Sequence, residues 1–435
     1  MTSGGAVRVP SFGALVDVAE RRMRELHVPG VALAMIADGH EESAGLGVAD
    51  VRRPRAVTAD TVFSIASITK TFTAGTLAAF ARERLISLDD PVRRWVPRFR
   101  LADASATERV TIRHLLTHTG GWVGEELPAP IDGDDALTRA GEACARMRQV
   151  TTPGELFSYN NVGFIVAGAA IEGVTREPYE TVVGERILRR LGMTRSAFAF
   201  PSDEDVAAEH TVRDDAPAVI EGWPTARSSA PVGGLRSTVR DLLRYARGHL
   251  DGSLELDIDA SRAVPTGAPH RAQGIGWAIT EARGTTMLSH GGATVAHMSL
   301  LLLVPAHRFA LVVLTNGALG GQLTAAVAHR AVEDLGVETY PDPETRGAPD
   351  ALVPGYLGRY EWPTSDIELV RIEGGLEMRL AWKGAVAARP APAPVRLEFW
   401  DDTHVIANDG WAKGAFGDFP APGLFRWGSR ARPHA

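Results

Sequence analysis

Phe63-Ser-Ile-Ala-Ser67-Ile-Thr-Lys70-Thr-Phe-Thr-Ala74 is the stretch on which the reading of this chain turns. Ser67 and Lys70 are three apart, so on a helix they share one face and the amine reaches the hydroxyl. A serine hydroxyl is a poor nucleophile until a neighbouring base takes its proton, and a desolvated lysine can be that base. Composition singles this lysine out: of 46 Lys and Arg residues only three are Lys, at positions 70, 383 and 413. Where a cation serves charge alone the sequence uses Arg, which keeps its proton; Lys gives its proton up once its surroundings lower its pKa. On the motif alone, a helix-capping serine with an incidental lysine is the alternative.

The chain around this stretch has 435 residues, too many for one compact core, so two or three domains are expected. A hydrophobic content of 45% and a charged content of 23% are ordinary for a soluble globular protein. The net charge of −7 argues against a nucleic-acid or anionic-membrane partner, either of which wants a basic patch. Cys144 is the only cysteine, so no intrachain disulfide forms; within the amphipathic stretch from Asp134 to Val150 it reads as a buried structural thiol. The first ten residues lack the basic start and apolar run of a secretory signal, and the most apolar stretch, Met298 to Leu314, is broken by Pro305-Ala-His-Arg308. The expected compartment is the cytoplasm.

In order, Ser11 to Leu26 has helical spacing with a serine cap, and Pro29-Gly30 ends it. Val31 to Ile36 and Glu42 to Val48 read as strands joined at Asp38-Gly39. Thr61-Val-Phe63 leads into the Ser67 helix, with Phe72, Leu77, Phe80 and Ala81 facing inward. Thr111 to Gly121 reads as a helix stopped by paired glycines. His114 and His118 have metal-pair spacing, but no glutamate follows His114, so both read as packed or capping residues. Helices are expected over 134–150, 161–171 and 178–191, a loop-rich region over 195–232, and a capped helix from Thr238 through His249. From Gly274 the pattern turns to strands: 276–280, 286–290, 298–304 and 309–315, then a closing helix from Leu323 to Leu335. Continuous apolar runs there suit strands covered on both faces. Residues 337–352 have linker composition. Beyond them come short strands at 358–362, 367–372, 376–382, 395–400, 404–407 and 424–427, which suggest a small antiparallel barrel or sandwich, with 385–394 as a loop.

Two further segments fit the first. Pro153-Gly154-Glu-Leu-Phe-Ser-Tyr159-Asn160-Asn161 places a tyrosine and an asparagine two apart after a sharp turn. A phenol held against an ammonium can lose its proton and serve as a base, and an amide can orient lysine and substrate. The alternative is a loop tyrosine followed by the helix cap Asn160. Ser289-His290-Gly291-Gly292-Ala293 ends a predicted strand; glycines let a carbonyl approach the backbone, where an exposed N–H can stabilise an oxyanion. The alternative is a plain strand-end turn.

Taken together, Ser67-x-x-Lys70, Tyr159-x-Asn161 and His290-x-Gly292 resemble the serine β-lactamase-like hydrolases: class C β-lactamases, low-molecular-weight penicillin-binding proteins, D-aminopeptidases and related esterases. Leu88-Asp-Asp-Pro-Val92, Ile112-Arg-His-Leu-Leu-Thr-His-Thr-Gly120 and Gly233-Gly-Leu-Arg-Ser-Thr-Val-Arg-Asp-Leu242 resemble that family too, and the likeness spans roughly residues 11 to 336. The resemblance implies an α/β (α+β) fold, an antiparallel sheet flanked by helices with a helical subdomain at about 65–250 inserted. It implies Ser67 as the acyl-accepting nucleophile, Lys70 and Tyr159 sharing proton transfer, and Asn161 bonded to substrate and Lys70. His290 takes the third-motif position beside Gly291 and Gly292, and the N–H groups of Ser67 and Ala293 form the oxyanion hole. No metal or organic cofactor is implied. The expected organisation is a catalytic domain over 1–336, a linker over 337–352, and a lipocalin-like barrel over 353–435.

Two departures bear on substrate. His290 stands where dedicated β-lactamases carry lysine, so a fixed cation for a β-lactam carboxylate is missing and esters or peptides are favoured over penicillins. After Ala293, family esterases often have a further glycine before the next strand, whereas here Thr-Val-Ala-His297-Met follows; His297 either narrows the pocket or contacts substrate, or is a strand residue facing solvent. Trp223, in the loop-rich region, is a further candidate substrate contact. The expected function is a serine hydrolase acting on a small-molecule ester, amide or peptide. The alternatives are an acyltransferase, transpeptidase or peptide cyclase using the same acyl-enzyme, and a non-catalytic scaffold.

Overall fold

The computed structural model describes residues 9–125, 127, 129–200, 206–220, 226–254, 263–384 and 391–434. Helix α1 (Phe12–Glu25) begins where the Ser11 hydroxyl accepts from the Ala14 N–H. Strands β1 (Gly30–Ala37) and β2 (His40–Gly47) follow, joined through Asp38 and Gly39, both in the left-handed region that a two-residue hairpin turn requires. The chain then leaves the sheet for a long helical insertion carrying α2 (Thr69–Arg82), α3 (Asn161–Thr175) and α4 (Val239–Leu250). It returns as β3 (Val264–Pro265), β4 (Arg271–Gln273), β5 (Ala278–Ala282), β6 (Thr285–Ala293), β7 (Met298–Val304) and β8 (Phe309–Thr315), and closes with α5 (Gly320–Asp334).

The sheet order is β2-β1-β8-β7-β6-β5-β4-β3, antiparallel throughout. Its central strands are buried on both faces, which explains their unbroken apolar text. Val31, Leu33 and Met35 of β1 pack with Leu15 and Ala19 of α1 and Leu323 and Val327 of α5. Ala32, Ala34 and Ile36 turn the other way, into the core of the helical insertion with Phe72, Leu77 and Tyr245. The first and last strands of the sheet are thus wrapped together (Val31 opposite Thr315, Ile36 opposite Ala310), and the helical insertion stands on the remaining face.

After residue 352 a second eight-stranded antiparallel sheet forms in sequence order: β9 (Gly358–Trp362), β10 (Ser365–Ile372), β11 (Gly375–Trp382), β12 (Val395–Phe399), β13 (His404–Ala407), β14 (Phe416–Ala421), β15 (Leu424–Trp427) and β16 (Arg430–Pro433). A bridge between Tyr360 and His434 brings its two edges together, so the sheet is a nearly closed barrel with its own core of Tyr360, Met378, Leu397, Phe399 and Phe425. Two of these strands, β14 and β16, are absent from the sequence reading.

Other differences are local. The helix expected to run to the glycines at 120 and 121 spans Ile112–Leu116 and stops because His118 is left-handed. The 134–150 helix is Ala136–Ala143 plus one tight turn, and 178–191 is Tyr179–Val183 extended by a wider turn. The region 195–232 is not all loop: Glu209–Arg213 and Ala216–Ile220 form a hairpin. Cys144 is buried and burial pushes its thiol up to about 12. Among the described residues no helix is long and apolar enough to cross a membrane.

Candidate active site

The approach to Ser67 is fixed from both sides. The two-residue strand Phe63–Ser64 pairs with Arg236–Ser237, and the Ile65 N–H donates to the Leu235 carbonyl at 3.2 Å. Ala66 then takes φ +44°, a conformation that costs a residue with a Cβ on the order of 1–3 kcal/mol and persists only where the surroundings enforce it. One tight turn (Ala66–Ile68) carries Ser67 into α2, whose first turn holds Lys70 with no solvent exposure. Lys70 Nζ lies 2.9 Å from Ser67 Oγ and donates to the Val232 carbonyl at 3.0 Å. Burial holds the Lys70 ammonium below the usual lysine range, an effect partly offset by Tyr159. The neighbouring threonines satisfy their hydroxyls on backbone carbonyls, Thr71 on Ile68 at 2.8 Å and Thr73 on Pro231 at 2.7 Å, so α2 is buried without orphaned hydroxyls at those positions.

The tyrosine loop arrives from the opposite wall. Asn160 caps α3 by accepting from the Gly163 N–H at 2.7 Å, which sets Tyr159 just outside the helix with its ring centre 5.1 Å from Lys70 Nζ. The capping reading of Asn160 thus holds, and the same cap leaves the Tyr159 ring beside the Lys70 amine. The Asn161 amide does not bond Lys70; its nitrogen donates to the Glu125 carbonyl at 3.1 Å, and the lysine's second bond is the one to Val232. His114 caps, accepting from the Thr111 N–H at 3.2 Å. His118 is packed, yet it sits against Tyr159, which its spacing did not imply. Its ring stacks on Tyr159 at 4.3 Å and its Nδ1 accepts from the Asn160 N–H at 2.9 Å, so the neutral ring carries its proton on the buried, unpartnered Nε2. Burial, with Lys70 and His290 nearby, keeps its pKa well below the ordinary histidine value.

The third wall is β6. A Cβ on Gly292 would overlap the Ile65 carbonyl oxygen and Ser299 Oγ, so only glycine lets this strand lie against the loop that carries Ser67. Ser299 Oγ donates to that Ile65 carbonyl at 2.9 Å, and the Ser64 N–H donates to His297 Nδ1 at 3.3 Å. Ser67 and Ala293 therefore sit on segments tied together twice. His297 is 3% exposed and edge-on to Phe63, so it is not a solvent-facing strand residue; it braces the wall. His290 donates from Nδ1 to the Gly291 carbonyl at 2.7 Å, which leaves Nε2 as an acceptor. Burial and the nearby Lys70 bring His290 down to about 4, so it is uncharged at neutral pH.

The barrel closes the cleft, and nothing in the sequence spacing foretold it. Arg430 lies over the Tyr159 ring at 5.4 Å and pairs with Glu125 through Nη2 at 2.7 Å, while Trp362 Nε1 donates to the same carboxylate at 2.7 Å. The whole cleft encloses about 2740 Å³. Ser67, Tyr159, Asn161, His290, Gly291, Gly292, Ala293 and His297 line it, and Trp223 lies outside the described residues.

The family model described as Beta-lactamase matches residues 15–335. Penicillin-binding protein 4 of Amycolatopsis lactamdurans is 31% identical over 315 residues, covering 67% of this chain and 82% of that protein. The crystal structure of SurE superposes with a TM-score of 0.76 at 27% identity, covering 97% of this chain and 99% of that one, and the structure of SurE with D-Leu gives 0.74. The octameric penicillin-binding protein homologue from Pyrococcus abyssi shares the fold at a TM-score of 0.67 and 23% identity over 97% of this chain and 99% of that one. With the family model spanning the sheet and its helical insertion alike, the chain belongs to the β-lactamase family.

Proposed function

We propose that the protein is a serine acyl-enzyme acting on peptide-like esters or amides, with Ser67 as nucleophile. Membership of the family supports a serine hydrolase or related acyl-transferring activity. The observation that carries the finer reading is the buried Lys70 amine 2.9 Å from the Ser67 hydroxyl. Ser67 Oγ bonds the substrate carbonyl carbon while its proton passes to the Lys70–Tyr159 pair. The oxyanion so formed accepts from the N–H groups of Ser67 and Ala293. Collapse breaks the bond to the leaving group, which takes up the proton, and an incoming acceptor reverses these steps to free Ser67. His290, uncharged, offers the substrate an acceptor at Nε2 rather than a cation.

Among the described residues, six arginines (Arg52, Arg53, Arg55, Arg236, Arg271 and Arg430) against three carboxylates (Asp50, Glu125 and Glu209) line the cleft. That balance favours an anionic substrate, and the SurE structure solved with D-Leu suggests a carboxylate on a D-residue. Arg430, beside Tyr159, is the cation best placed for it, at the expense of its pairing with Glu125. Acyl transfer to an amine is a second reading. It rests on a cleft larger than the roughly 300–1,000 Å³ that one small ligand fills. Intact-mass analysis after fluorophosphonate treatment, with Ser67→Ala as control, tests the core of the proposal; no adduct on folded wild-type protein would sink it. A panel of p-nitrophenyl esters, D- and L-amino acid amides and nitrocefin, with and without added amines, ranks the substrates.

A further inference from the structure

Three successive residues of the tyrosine loop are each held by the barrel. The Phe157 carbonyl accepts from Arg426 Nη1 at 3.2 Å, Ser158 Oγ accepts from the Ala431 N–H at 3.1 Å, and the Tyr159 N–H donates to the Ser429 carbonyl at 2.7 Å. Arg426 is 4% exposed and forks onto Asp418, equally buried, through Nε at 2.7 Å and Nη2 at 2.5 Å. A barrel core has little use for such a pair on stability grounds, since desolvating two charges offsets their attraction and an apolar pair of similar size commonly serves as well. What the guanidinium adds is a third donor, and that donor leaves the barrel to end on the loop bearing Tyr159. The catalytic sheet approaches the same point: at Gly267, with φ +85°, a Cβ would overlap the Arg426 guanidinium.

We propose that the barrel is a working part of the catalytic centre and that Arg426, anchored by Asp418, is a positioning residue that fixes the Tyr159 phenol against Lys70. The catalytic half rests on the acyl-serine reading above. The loop has its own tie to the helical insertion, Ser158 N–H to the His118 carbonyl at 2.9 Å, so losing the barrel's hold shifts Tyr159 rather than unfolding the segment. A misplacement of about 1 Å in a catalytic group costs about 10²-fold in rate.

The test uses the full chain with Arg426→Met/Asp418→Leu, which removes both charges together so that neither is left buried alone, and Ser158→Ala, which removes one acceptor outside the barrel core. Deuterium uptake by the amides of residues 158–160 is read by mass spectrometry, and kcat and KM are read with a neutral p-nitrophenyl ester. In the double variant we expect uptake at least about tenfold faster, as local opening becomes easier. The kcat should fall about 10²-fold with KM within about twofold. Ser158→Ala should move both in the same direction by less, and it decides by the same criteria if the double variant does not fold. Unchanged uptake in a folded variant overturns the clamp whatever the kinetics, and faster uptake with unchanged kcat overturns its catalytic role. Failure of wild-type Ser67 to label with fluorophosphonate would instead remove the acyl-serine reading, leaving deuterium uptake to decide whether the barrel holds the loop.

Discussion

At the scale of single residues, everything turns on whether the amine at position 70 can give up its proton. Burial lowers the Lys70 pKa because the charged form loses water, so the neutral amine is present at lower pH than in an exposed lysine. The acid limb of the acylation rate should accordingly rise with pH through a value below 10.5, the lysine reference. His290, neutral above about 4, should add no limb between pH 6 and 8. Lys70→Arg keeps a cation of similar reach that stays protonated, so acylation of Ser67 should fall ~10²-fold or more with the melting temperature little changed. A p-nitrophenol burst at the wild-type rate in that variant would contradict the assignment. This pair was legible in the sequence because helical spacing and the rarity of lysine point the same way. His118 was not, since its relation to Tyr159 exists only once the segments around 118 and 159 are folded together.

Among the elements, β6 and α4 carry the next tests. At Gly292 strand β6 lies against the Ser67 loop at bare-backbone distance, so Gly292→Ala must push the strand away from Ile65 and Ser299. The two N–H groups assigned to the oxyanion would then part, and the loss of one such donor costs about 10²–10³-fold in kcat. Measuring kcat beside a circular-dichroism melt separates this from unfolding; an unchanged kcat removes Ala293 from the oxyanion role. On α4, His249 meets Tyr245 and Trp277 edge-on with both ring nitrogens buried and unpartnered, and burial lowers it to about 3. Between that value and 6.5 the unfolded chain binds a proton that the folded one refuses, so stability falls as the pH drops, by about 1.4 kcal/mol per unit for one such group. His249→Phe should therefore raise the melting temperature more at pH 5 than at pH 7.5, and equal shifts at both would contradict it. Helix α4 itself was readable from its Thr238 cap and spacing, and the central strands from their apolar runs. The hairpin at 209–220 was not: Ala216-Pro-Ala-Val-Ile220 is short and contains a proline, which argues against a strand unless it lies at an edge. Strand β16, Arg430-Ala-Arg-Pro433, was hidden by its two arginines: Arg430 finds its partner in Glu125 of the helical insertion, and Arg432 donates to the Trp427 carbonyl at the end of the neighbouring strand.

For the molecule as a whole, the charge pattern matters more than the total. The chain carries a net charge of −7, yet among the described residues its cleft is lined by six arginines and three carboxylates, Arg271 coming from β4 of the sheet and Arg430 from β16 of the barrel. An acidic exterior around a cationic cleft repels anions over most of the surface and draws them in at the mouth. Such steering is screened by salt over a Debye length of roughly 10 Å at 0.1 M. If substrate enters as a carboxylate, its apparent KM should climb several-fold between about 0.01 and 0.5 M salt, while a neutral ester of the same acyl group should keep its KM. Arg430→Gln should flatten that salt dependence and raise KM for the anionic substrate alone, because the guanidinium acts on the substrate's charge and not on the reacting carbonyl. Identical salt curves for the two substrates would mean that the arginines serve the protein's own architecture, Arg430 holding Glu125 against Trp362 and the tyrosine loop, and that the substrate is recognised by shape.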